Sequence, residues 1–233
     1  MKILSIDTAS DVCGVSILNN TDLILNSDIL TGRTHSENLM PIIEKTFKET
    51  NLQLNDIDLI VSNIGPGSFT GIRIGISTVK AFCDTQNISC IGISSLESLL
   101  YNIQTKGFVI SILPATNDDF YFAIYNTLDM SNIITIHKPS LACFNDIINI
   151  CEKYKNETIT FIGTSLIDKQ NDILAKLPNS NFSNKEENIL NSYCLGLAGF
   201  NNYTNNNITE VLPLYLKKPQ AQIELENKLK GSN

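Results

Sequence analysis

Gly65, Pro66, Gly67, Gly71 and Gly75 all fall within eleven positions, GPGSFTGIRIG at 65–75. The run DLIVSNI before them reads as a strand, and FTGIRIGISTVKAFC after Ser68 reads as a helix. A glycine-rich bend between a strand and a helix can bind phosphate, because a helix N-terminus presents unpaired N–H groups and a partial positive charge. The lysine-bearing pattern GxxxxGK[ST] fails here, since the first lysine of the segment is Lys80, deep in the helix. GxGxxG fails too, because Gly65-Pro66-Gly67 runs into Ser-Phe-Thr-Gly. Without a lysine the loop could still offer N–H groups to an anion. The structural alternative is that Gly65 and Gly67 supply positive φ, Pro66 stiffens the turn and Ser68 caps the helix.

Other chemistry-bearing residues are sparse. Asp7, Thr8 and Ser10 follow the first apolar run and form a sound turn. His35 and His137 are about a hundred residues apart, and His35 reads as a capping or packing group at a helix start. Cys13, Cys83, Cys90, Cys143, Cys151 and Cys194 contain no CxxC pair, so zinc is not expected and they read as small buried hydrophobes. No nucleophile with a neighbouring base, as a peptidase requires, is recognisable.

These groups sit in a chain of 233 residues, suited to one large domain or two small ones. It is 42% hydrophobic and 18% charged, compatible with a packed core. No run approaches the ~20 apolar residues of a membrane span, and MKILSIDTAS lacks the features of a secretion signal. A cytoplasmic location is the expectation. The net charge of −7 argues against this chain gripping tRNA or other nucleic acid unaided.

The hydrophobic pattern gives three strands, a helix at 36–50, a strand at 57–63, the helix at 69–85, the strand ISCIGI and a helix capped by Ser94 or Ser95. FVISILPA, FYFAIYNT and NIITIHK then restart the order, followed by helix, strand and helix. The expectation is an α/β fold of two related halves, 1–104 and 105–233, each with a mixed sheet flanked by helices. A late helix, EENILNSYCLGLAGF, is expected to pack back on the first half, and NNYTNNN at 201–207 to be a loop.

The 69–85 helix has two nonpolar sides. Ile72, Ile76, Val79 and Cys83 make one, and Gly71, Gly75, Thr78 and Phe82 the other, opposite a polar stripe of Arg73, Ser77, Lys80 and Asp84. One side must face the sheet. The small-residue side, with Leu39, Met40, Ile43 and Phe47 of the preceding helix, is expected to receive a partner helix pair, with Gly75 allowing close approach.

GPGSFTGIRIG, preceded by RTHSENLMP at 33–41, strongly resembles the TsaB (YeaZ) family of bacterial tRNA threonylcarbamoyladenosine biosynthesis. ILSIDTAS at 3–10, IGISSLESL at 91–99 and LPLYLKKP at 212–219 extend the resemblance over nearly the whole chain. It implies the duplicated actin, Hsp70 and sugar-kinase fold. It also implies a noncatalytic subunit that supports TsaD, with TsaE joining, in adding threonylcarbamoyl to adenosine 37 of tRNAs reading ANN codons. A homodimer is implied for the chain alone, and no cofactor. The HxxxH metal pair of TsaD aligns with Ser94 and Ser98, so no metal is expected. In kinase-like members of the superfamily an aspartate placed like Asp7 binds metal–nucleotide, which leaves Asp7 and Thr8 as a vestigial nucleotide site. Two features depart from the family: PATNDD at 114–119 replaces a DAR-like turn, and Lys217 stands where arginine is common. The alternative is a small-molecule kinase or peptidase of the same fold acting alone.

Overall fold

The structure, a computed structural model, describes residues 1–217 other than 33, 117, 130, 131 and 165. Arg33 of the 33–41 segment and the stretch 218–233 therefore lie outside the described residues.

Strands β1 (Lys2–Asp7), β2 (Val12–Asn19) and β3 (Asp22–Asn26) form an antiparallel meander, and a short β4 (Ile29–Leu30) also pairs with β2. Helix α1 (His35–Thr50) leads to β5 (Leu59–Gly65), parallel to β1. Helix α2 (Phe69–Gln86) leads to β6 (Ser89–Ser94), parallel to β5. The order is β3-β2-β1-β5-β6. One turn of helix, α3 (Ser95–Ser98), and a 3-10 turn at Leu99–Asn102 follow.

The second sheet repeats this plan. Strands β7 (Gly107–Pro114), β8 (Asp119–Asp129) and β9 (Asn132–Cys143) are antiparallel. Helix α4 (Phe144–Cys151) leads to β10 (Ile159–Ile162), and α5 (Gln170–Lys176) to β11 (Ser180–Phe182), both strands parallel. The order β9-β8-β7-β10-β11 matches that of the first sheet position for position. The fold is thus the duplicated α/β architecture anticipated from the restart of the strand pattern.

Alternation along β1 shows why its run is apolar throughout. Leu4 and Ile6 face α1 and α2 with Ile60, Ile72, Ile76 and Val79. Ile3 faces the opposite side with Val61, Ile91 and Leu195 of a late helix, α6 (Ser192–Thr204). A strand covered on both faces has no polar side to show. Leu96, Leu99 and Leu100 pack against Val109, Tyr125 and Ile162, so α3 and the turn after it join the two halves.

Two element boundaries differ from expectation. Helix α6 starts at Ser192 because Asn191 caps it, accepting from the Cys194 N–H at 2.8 Å, and it continues to Thr204 through the first part of the asparagine-rich stretch. Helix α1 begins at His35, which places exposed Pro41 in its second turn. No helix among the described residues is long and apolar enough to cross a membrane.

Candidate functional site

The glycine bend lies against the turn that leaves β1. The Ser68 N–H donates to the Ala9 carbonyl at 2.7 Å, and Thr8 Oγ1 donates to the Gly71 carbonyl at 2.7 Å. Ser68 caps α2 as expected, its Oγ accepting from the Gly71 N–H at 3.2 Å. Gly65 has φ +100 and precedes a cis Pro66. Gly67 does not need positive φ, which corrects one expectation. Its requirement is space: a Cβ there would stand 2.1 Å from the Ala9 carbonyl oxygen.

The same packing overturns the reading of the small-residue stripe. A Cβ at Gly71 would stand 2.0 Å from the Thr8 carbonyl oxygen, and one at Gly75 2.4 Å from Thr8 Oγ1. Both glycines are buried against Thr8, the residue that follows β1 in the same chain, and so are unavailable to a partner helix. Leu39 and Ile43 are likewise buried on the sheet-facing side of α1. Of the eight residues expected at an interface, Met40 is 51% exposed, and Phe47, Thr78 and Phe82 are half-buried. Ile74, half-buried on the same α2 face as Thr78 and Phe82, joins them. Sequence spacing paired Gly71 and Gly75 with Thr78 and Phe82, but the helix turns the glycines inward and the larger pair toward the rim.

Asp7 ends β1 fully inside the protein. Its Oδ1 accepts from the Ala9 N–H and its Oδ2 from Asn63 Nδ2, both at 2.9 Å. Asn63 Oδ1 in turn accepts from the Gly65 N–H and from Ser95 Oγ, both at 2.8 Å. One carboxylate therefore organises the turn after β1, the glycine bend and the start of α3. Burial pushes its pKa up to about 6, against the lowering effect of the two hydrogen bonds. Asn63 escaped the sequence reading, because a polar residue in an apolar strand gives no sign of its partner.

A metal–nucleotide held as in the kinase-like fold would need Asp7 open and N–H groups free at the bend. Both Asp7 oxygens are taken, the Ser68 N–H is bonded, and Gly67 presses on the Ala9 carbonyl. The residues do not fit such a group. Ser94 Oγ, at the first position aligned with HxxxH, caps α3 by accepting from the Glu97 N–H at 3.1 Å; Ser98 Oγ is buried with no hydrogen-bond partner. Among the described residues, no three of the residue types His, Cys, Asp and Glu group to hold a metal ion. His35 is buried: its Nε2–H donates to the Ser10 carbonyl at 2.8 Å, and its Nδ1 faces Thr31 Oγ1 at 3.4 Å.

A cleft of about 810 Å³ opens between the halves, lined by Ser10, Val12, Leu30, Gly67, Pro114 and Leu190 among others. The chain after α6 straps its edge. Gly92 N–H donates to the Thr209 carbonyl at 2.9 Å, and Leu214 N–H to the Ile64 carbonyl at 2.8 Å. Tyr215 stacks on Phe69 with centroids 4.7 Å apart, and its hydroxyl accepts from Arg73 Nε at 2.6 Å. Lys217 Nζ donates to Thr116 Oγ1 across the cleft mouth, which gives the divergent 114–119 turn and the lysine at 217 a shared contact.

Two mixed sheets of matching order define a duplicated α/β protein in which Asp7 and the glycine bend are turned to internal packing. The family model described as "TsaD: tRNA N6-adenosine threonylcarbamoyltransferase" matches residues 29–225, and the chain belongs to that family, in its TsaB (YeaZ) branch. It is 30% identical over 128 residues to the tRNA threonylcarbamoyladenosine biosynthesis protein TsaB of Escherichia coli, covering 54% of this chain and 55% of that protein. It is 26% identical over 166 residues to TsaB of Bacillus subtilis, covering 70% and 71%. The match thus spans about half of the E. coli relative. Among solved structures, a Pseudomonas aeruginosa protein described as similar to peptidase YEAZ shares the fold at a TM-score of 0.72 and 22% identity, covering 93% of this chain and 99% of that one.

Proposed function

We propose that this chain acts in tRNA threonylcarbamoyladenosine biosynthesis as a noncatalytic subunit. It docks onto TsaD and holds it in an active form, TsaE joining the pair, while TsaD modifies adenosine 37. The observation that carries the reading is the internal engagement of Asp7: the carboxylate that would serve a kinase of this fold is spent on Ala9 and Asn63. The peptidase reading has no support either, since His35 is committed to the Ser10 carbonyl and faces Thr31. What remains for function is surface. Helices α1 and α2 lie side by side, and their outer rim carries exposed Met40 with Phe47, Ile74, Thr78 and Phe82. A partner of the same fold could offer a matching pair, for a homodimer or for TsaD, and the two would compete.

The test uses size-exclusion chromatography of the chain with TsaD, and threonylcarbamoyl transfer to tRNA. The parent coelutes with TsaD, and without TsaD it gives no modified nucleoside from threonylcarbamoyl-adenylate. Met40→Glu with Thr78→Arg should fold normally by circular dichroism and lose coelution. Retained coelution at parental affinity moves the interface elsewhere. Product formed without TsaD overturns the noncatalytic assignment.

A further inference from the structure

We infer that the apolar cleft between the halves is the docking site of the chain's own residues 218–233. The cleft encloses about 810 Å³, a volume that takes a compact ligand or the side chains of one short segment. Val12, Leu30, Leu113, Pro114, Ile189 and Leu190 give it an apolar lining, and Asp11 is the one charged side chain among the described lining residues. Leu30 is 78% exposed and Ile189 50%, so the walls leave large apolar side chains open to water. An apolar surface of this kind marks a binding site.

The course of the chain after α6 selects the occupant. Thr209 ties it to Gly92 of β6, Leu214 ties it to Ile64 of β5, and Tyr215 is stacked on Phe69. Two residues on, Lys217 donates to Thr116, which itself lines the cleft. The chain is therefore delivered to the cleft mouth at the point where residues 218–233 begin. Ile223 is six positions further, within a reach of about 20 Å. Ala221, Ile223 and Leu225 alternate with Gln222, Glu224 and Glu226, the period-2 pattern of an extended segment with one apolar face. Laid along the cleft, that face meets Leu30, Ile189 and Leu190, and the two glutamates face water, away from Asp11. A free anion is a poorer occupant, because Asp11 repels it and the Ser68 N–H is already bonded to the Ala9 carbonyl. The docked segment covers Gly67 and Ser68 at the glycine bend and closes the cleft to other ligands.

The experiment keeps the full chain and places a benzophenone photo-crosslinker in place of Leu225. Irradiated protein is digested and mapped by mass spectrometry, and mixing isotope-labelled with unlabelled chains separates links within one chain from links between two. The expected links join position 225 to Leu30, Ile189 or Leu190 of the same chain. Links between chains, links to the α1–α2 rim, or no link at all overturn the inference. A second readout is trypsin cleavage after Lys228. Cleavage of a docked segment tracks the fraction undocked, so Ile223→Glu with Leu225→Glu should speed it about tenfold, and Leu30→Glu with Ile189→Glu should do the same. Leu30 and Ile189 lie at the surface, so the cleft variant should match the parent by circular dichroism. Unchanged cleavage in both variants overturns the docking, and a rise with the Ile223 and Leu225 pair alone overturns the cleft as its site.

Discussion

Gly71→Ala isolates the close approach of α2 to β1. Alanine is the better helix former, and in an open helix the change would stabilise by about 1 kcal/mol. Here the new Cβ would stand 2.0 Å from the Thr8 carbonyl oxygen, where real Cβ contacts stay above 3.0 Å. Both sides are backbone, so no side chain can swing away. The N-terminal turn of α2 must lift by roughly an ångström, an overpacking strain of about 1–3 kcal/mol. Lifting also strains the hydrogen bonds from Thr8 Oγ1 to Gly71 and from the Ser68 N–H to Ala9, each contributing about 1 kcal/mol. The net expectation is a loss of about 2–4 kcal/mol. With a urea m-value of about 2–3 kcal/mol per molar, the unfolding midpoint should fall by about 1 M. Gly32→Ala is the control: nothing lies within 4 Å, but φ is +62, so only the left-handed conformation is penalised, by about 1–2 kcal/mol. A Gly71→Ala variant as stable as the parent would show that α2 does not pack this closely in solution, and the structural account of the bend would fail with it.

Two further outcomes follow from the buried carboxylate and the strap. Asp7 has a folded pKa of about 6 against about 3.9 unfolded, so its contribution favours folding fully below pH 4 and is lost as pH rises through 6. The gap in unfolding free energy between parent and Asp7→Asn should therefore change by about 2 kcal/mol from pH 4 to pH 7, the parent losing ground; parallel profiles refute the assignment. Tyr215→Ala removes the Phe69 stack and the Arg73 hydrogen bond and should cost about 1–2 kcal/mol. Amide exchange at Leu214, bonded to Ile64, should accelerate more than exchange in β5; unchanged protection there removes the strap's role.

Much of the architecture was legible in the residues. Strand and helix periodicities repeat in the same order in both halves, and that order alone foretold two similar sheets. Ser68 announced itself as a cap, and the cap of α3 was narrowed to Ser94 or Ser95, of which Ser94 serves, because a serine before a helical run has one local use, and that use depends on neighbours three residues away. Tertiary structure decided what those periodicities cannot encode. The stripe of α2 bearing Gly71 and Gly75 was visible as a stripe, but periodicity says which residues share a face and not what covers it. The cover proved to be Thr8, its carbonyl over Gly71 and its hydroxyl over Gly75, some sixty residues earlier. Asp7 read as a turn former with a ligand role as the alternative, and Asn63, one strand away, occupies its second oxygen. Gly67 looked like a residue chosen for its dihedral freedom, and it is held by proximity to the Ala9 carbonyl. In each case the deciding contact joins chain segments remote in sequence, so its energy depends on distances that only the packed chain sets.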